Sequence, residues 1–198
     1  NTGSTINYTE DYDAGGNYDN NHDEFIEPNI TISDDDDTQL DSITVSLSAG
    51  SADKDYLTFT NPQPSVISGN YYHNLKKIKL KGIADVSVYQ EILRSVKYYT
   101  SNENPTGSAS SRTLTVQWEV RDANSDSTTY QYSNLGSSTI IITPTNDAPW
   151  FANMNNTIEY TENSTGGIID NNIAISDHDD SNLASGTVSI TSGFTVGD

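Results

Sequence analysis

Apolar and polar positions alternate along most of this chain. The clearest run is Thr113-Leu-Thr-Val-Gln-Trp-Glu-Val120, in which Leu114, Val116, Trp118 and Val120 fall on one side of an extended backbone and Thr, Gln and Glu on the other. This period of two predicts a strand with one buried and one wet face. Shorter runs that alternate, or are rich in β-branched residues, predict strands at 43–47, 56–60, 76–80 and 138–143. Residues 86–96 depart from the pattern: Val88, Ile92 and Val96 (or Leu93) recur at helical spacing, which predicts one short connecting helix. Short strands separated by turns, with hardly any helix, predict an all-β sandwich.

Comparing the chain with itself shows a repeat. Ile6-Asn-Tyr8-Thr9-Glu10 returns as Ile158-Glu-Tyr160-Thr161-Glu162, an offset of 152. Asn29-Ile-Thr-Ile-Ser-Asp34 returns as Asn172-Ile-Ala-Ile-Ser-Asp177, and Leu40-Asp-Ser-Ile-Thr-Val-Ser-Leu47 as Leu183-Ala-Ser-Gly-Thr-Val-Ser-Ile190, both at an offset of 143. The nine extra residues of the first copy lie in an Asp/Asn/Gly-rich insertion before Asn29, which reads as a loop. Thr143-Pro-Thr-Asn-Asp-Ala-Pro149 is extended and stiff at its two prolines, so a boundary is expected there: one complete repeat at 1–148 and the N-terminal part of a second at 149–198. With no initiator Met and an unfinished second copy, the chain reads as a piece of a longer protein.

Composition narrows the function. Twenty-eight Asp and Glu against nine Lys and Arg give a net charge of -19, which repels itself unless cations sit among the carboxylates. Nucleic acid and anionic membrane are poor partners for such a chain, and no run is apolar enough for direct membrane insertion. Cysteine is absent, which removes disulfides and thiolate metal sites. No Gly-x-Ser-x-Gly elbow, His-Glu-x-x-His pair or phosphate loop occurs, so no enzyme activity is expected.

Tyr-Thr-Glu near the start of each copy, Ile-Ser-Asp-x-Asp in each copy, Tyr89-Gln-x-Ile-Leu-Arg-Ser-Val-Lys-Tyr98 followed by Asn104-Pro105, Val120-Arg-Asp122 and Asn146-Asp147-Ala-Pro149 together resemble the cadherin-like repeats of large bacterial surface proteins, including repeat-in-toxin adhesins. The resemblance implies a Greek-key β-sandwich of the cadherin/immunoglobulin-like kind, extracellular at the cell surface, strung to neighbouring repeats with Ca2+ as the bound ion. It further implies that Glu10, Asn146, Asp147, Asp177 and Asp179, with Glu103, hold calcium where one repeat follows another. By the same logic Asp34, Asp36 and Asp122 stand at the opposite end of the first repeat, and Glu162 at the next junction. The linker here is one residue shorter than the animal cadherin form. Independently of the family, calcium takes six to eight oxygen ligands, and Asp177-x-Asp179 on extended backbone is chemically suited to it.

Three further features carry alternatives. The insertion partly matches an EF-hand loop, with Asp11, Asp13 and Asp19 as possible extra ligands and Gly16 at the turn, but His22 stands where a bidentate Glu belongs; it is either a private calcium site or a solvated acidic loop. Lys77, Lys79 and Lys81 share one face of a strand, with Ile78 and Leu80 on the other, which reads as an edge strand guarded by lysines or as a glycan or polyanion site. Tyr71-Tyr72-His73 and Tyr98-Tyr99 read as structural or as sugar-stacking rings. Rival functions are therefore a glycan- or protein-binding adhesion module, and a fibre subunit that assembles with like subunits by strand complementation.

Overall fold

The Thr113–Val120 alternation lies in the longest strand among the described residues. In the computed structural model, which describes residues 3–10, 22–35, 37–48, 51–123, 132–154 and 156–193, the chain divides into two units, Asn1–Asn146 and Asp147–Asp198. The first contains β1 (Thr5–Thr9), β2 (Glu24–Phe25), β3 (Gln39–Leu47), β4 (Asp55–Thr58), β5 (Ser68–Tyr72), β6 (Lys77–Asp85), α1 (Val86–Arg94), β7 (Lys97–Thr100), β8 (Arg112–Asp122) and β9 (Gly136–Thr143). The second contains β10 (Trp150–Ala152) and β11 (Ala174–Ser176). The described residues are all-β apart from α1 and one 3₁₀ turn.

A six-stranded sheet in the order β1-β9-β8-β3-β6-β5 and a three-stranded sheet in the order β2-β7-β4 form the first unit. Neighbours are antiparallel except β1, which runs parallel to β9. One apolar core draws on both sheets. It combines Val45, Ile78, Val116 and Ile140 of the larger sheet with Leu57 and Tyr98 of the smaller one. Each such side chain, fully buried, contributes about 1.5–3 kcal/mol relative to exposure. The sheets are also tied by charge: Arg112 Nη2 on β8 donates to Asp55 Oδ1 on β4 at 2.6 Å, and the Tyr98 hydroxyl donates to the same oxygen at 2.7 Å. Burial, chiefly, and the Asp55 charge beside it push the Tyr98 phenol well above its ordinary range.

The lysine strand and the helix both differ from expectation. β6 lies between β3 and β5, so it is an interior strand and β5 is the edge. Ile78 and Leu80 point into the core and Lys79 and Lys81 into solvent, but Leu75 is exposed in the 3₁₀ turn His73–Leu75, and Lys76 (φ 53°) breaks the alternation before β6 begins. In α1 the expected Ile92 and Leu93 are buried, as is Val96 just after it, and Val88 is half-buried against the core, but the fully buried residue of the first turns is Tyr89. Tyr89 wins because its hydroxyl has acceptors: it donates to the Asp41 carbonyl at 3.0 Å and the Gly82 carbonyl at 2.5 Å. The Asp41 carbonyl lies at a bulge, where β3 shifts register between Leu40 and Ser42 against both neighbours.

In the second unit, β10 and β11 pair antiparallel, with Trp150 opposite Ser176 and Phe151 opposite Ile175.

Candidate metal centre

Glu10 is positioned by the end of the larger sheet. The β1–β9 ladder carries one step beyond the strands, with the Glu10 N–H donating to the Thr143 carbonyl at 2.9 Å. Pro144 then removes a backbone donor, and Thr145 takes over. Its N–H donates to Glu10 Oε2 at 3.0 Å and its hydroxyl to the Glu10 carbonyl at 2.7 Å. The Glu10 side chain is thus held, buried, beside the segment that leaves β9. Thr145 was not foreseen, because only the parallel pairing of β1 with β9 brings it to Glu10.

Glu103 belongs to the same region of the first unit. β1 leads into Glu10 and β7 leads toward Glu103, and the two strands touch where the Thr100 N–H donates to the Tyr8 hydroxyl at 3.5 Å and the Tyr8 and Tyr98 rings meet edge-on at 5.0 Å. Asn146 closes this unit.

Within the second unit, Asp147 meets the Asp177-x-Asp179 motif although 32 residues separate Asp147 from Asp179: the Asp147 N–H donates to Asp179 Oδ2 at 2.6 Å. Asp177 Oδ1 accepts the N–H groups of Asp179 at 3.0 Å and Asp180 at 2.8 Å, a turn closed by its own side chain. These bonds use one oxygen of each of the two carboxylates. His178 places Nδ1 3.7 Å from Asp147 Oδ2 and its ring 4.5 Å from that of Trp150. Glu162 lies exposed on a turn closed by the Ser164 N–H and the Thr161 carbonyl.

Asp34 and Asp122 stand at the opposite end of the first unit. β3 is antiparallel to β8 and β8 to β9, so the start of β3 lies at the far end of the sheet from Thr143 and Glu10. Asp34 Oδ1 accepts the Asp37 N–H at 3.2 Å just before β3, and Asp122 ends β8 opposite Leu40. Asp36 and the insertion residues Asp11, Asp13 and Asp19 lie outside the described residues.

The donor set fits calcium in kind, being carboxylate and carbonyl oxygen. It is not a closed site within one unit: among the described residues of either unit taken by itself, no three acidic or histidine side chains converge closely enough to hold a metal. Of the lysines and tyrosines singled out from the sequence, Tyr72, Lys79 and Lys81 are exposed and line one shallow groove on β5 and β6. Tyr56 is stacked between His73 and Tyr99, at 4.8 Å from each, and Tyr98 is buried.

No family model matches the chain, and no curated protein or solved structure matches it. No helix of the described residues is long and apolar enough to cross a membrane.

Proposed function

We propose that this chain is a calcium-binding extracellular repeat module, a Greek-key β-sandwich of the cadherin-like kind, which stiffens and extends a surface adhesin or fibre alongside neighbouring repeats. The observation that carries the reading is the fastening of Asp147 to Asp179 with Asp177 turned beside it, since these are three of the residues to which the sequence resemblance assigns calcium. The placement of Glu10 against Thr145, at the exit from β9, supports it from the first unit. So does the net charge of -19, which needs cations to relieve it. The two-sheet core and the parallel β1–β9 pairing support the sandwich reading.

The mechanism is mechanical. Binding energy available only when the carboxylates converge favours one arrangement of the 143–150 linker, and withdrawal of the ion leaves like charges to repel. Calorimetric titration tests the binding step. Calcium is expected to bind saturably, magnesium to replace it poorly because it demands a tighter octahedral shell, and Asp177→Asn with Asp179→Asn to weaken calcium by tenfold or more, about 1.4 kcal/mol. No calcium binding by the unaltered chain would refute the reading.

A further inference from the structure

The fold leaves the lysines of β6 without an edge to guard. Lysine protects an exposed strand edge from pairing, but β6 has β3 on one side and β5 on the other. Of the nine Lys and Arg, Lys97, Arg112 and Arg121 sit in ion pairs, and Lys76 and Arg94 donate to backbone carbonyls. Lys77, Lys79 and Lys81 make no ion pair among the described residues, although the chain carries 28 Asp and Glu.

Strand pairing sets each of these lysines in a row across the sheet. Lys81 lies between Ser42 of β3 and Ser68 of β5, Lys79 between Thr44 and Asn70, and Lys77 between Ser46 and Tyr72. The rows are roughly 6.7 Å apart along the strands, on the face opposite the buried Ile78 and Leu80. Lys79 and Lys81, with Ser42, Thr44, Ser68 and Tyr72, line one shallow groove. The Ser68 hydroxyl donates to the Lys81 carbonyl at 3.3 Å, which leaves its oxygen as an acceptor. Glu119 shares this face, in β8 opposite Thr44, and so stands two strand spacings, about 10 Å, from the Lys79 backbone.

We infer that this groove binds an acidic polysaccharide, a chain with an anionic group and free hydroxyls on successive sugars. The ammonium groups of Lys79 and Lys81 meet the anionic groups, and the hydroxyl and amide side chains that flank them in each row meet the sugar hydroxyls. Two other polyanions fit less well. An acidic peptide finds no backbone ladder to extend at β6, since both edges of that strand are paired. Nucleic acid needs rings on which bases stack, and Tyr72 is the one ring among the described residues of the groove. The net charge of -19 is spread over the whole chain, and exposed charges more than about 8 Å away are largely screened at physiological salt, so the lysines set the sign inside the groove.

The inference does not depend on calcium, and it is tested in chelator, where calcium cannot bridge two acidic chains. The probe is immobilised polygalacturonate, and the readout is binding of the 198-residue chain by interferometry. Saturable binding that weakens as salt is raised is expected. Lys79→Gln with Lys81→Gln should lower the affinity about tenfold and, both being exposed, leave thermal stability unchanged. Lys54→Gln, exposed and outside the groove, removes a charge without affecting binding. Absence of saturable binding overturns the inference, as does full affinity in the double variant or an equal loss in Lys54→Gln. Binding of polyglutamate or oligothymidylate at matched charge as tightly as polygalacturonate also overturns it, and marks a surface for acidic peptide or nucleic acid instead.

Discussion

The Asp147 N–H donates to Asp179 Oδ2 at 2.6 Å, fastening the residue that follows Asn146 to the turn that follows β11. The carboxylate of Asp179 thus has two separable duties: accepting this hydrogen bond and, in the proposed mechanism, meeting calcium.

The two substitutions at this position should therefore differ. Asp179→Asn keeps an acceptor oxygen and loses the charge, whereas Asp179→Ala loses both. We expect Asn to leave calcium-free stability within about 0.5 kcal/mol of the unaltered chain while reducing the stabilisation by calcium, and Ala to lower both. Thermal melts with and without calcium separate the two.

Asp55 is fully buried and carries Arg112 and Tyr98 on one oxygen. Asp55→Ala leaves a guanidinium and a phenol without their shared acceptor between two sheets, at a cost of about 3–5 kcal/mol. Urea denaturation should show the fall in midpoint, with Asp55→Asn intermediate because it still accepts from Tyr98.

Glu27 governs part of the acid response. Burial would raise its pKa, but hydrogen bonds from the Ser138 hydroxyl, at 2.5 Å, and from Ser4 and Gly3 outweigh it and hold the carboxyl below its ordinary 4.5. A lowered folded-state pKa means that this contribution is fully present above pH 4.5 and is lost as pH falls through the folded value. Glu27→Gln should accordingly lose stability at neutral pH and show a shallower decline than the unaltered chain below pH 4.5, measured by urea unfolding across pH.

β3, β6, β8, β9 and α1 were legible because their burial imposes a period of two or of 3.6 on the sequence. β5, Ser-Gly-Asn-Tyr-Tyr, has no such pattern, and its strand character comes from the ladder to β6. β2 and β7 are two and four residues long, too short for a period to declare itself. Within the candidate site, type and spacing point to Asp177 and Asp179, and the other carboxylates are named from the family resemblance. The bonds that place them were not legible, since Asp147 donates through its backbone and Thr145 reaches Glu10 only through strand pairing.

Gly69 is a position where the pairing of β5 with β6 demands glycine. Its φ is +131°, and a Cβ there would lie 2.0 Å from the Lys79 carbonyl oxygen. Gly69→Ala should strip β5 from the sheet edge, raising amide exchange at 68–72 and lowering stability by about 1–3 kcal/mol, with β3 and β8 retaining their protection.

Thermal unfolding of the 198-residue chain, by calorimetry in millimolar calcium and again in chelator, tests the central claim most directly. At a hundredfold excess over Kd the ion should add about 2.7 kcal/mol, a rise of roughly 5–10 °C in Tm. An unchanged Tm would contradict a calcium-stiffened repeat.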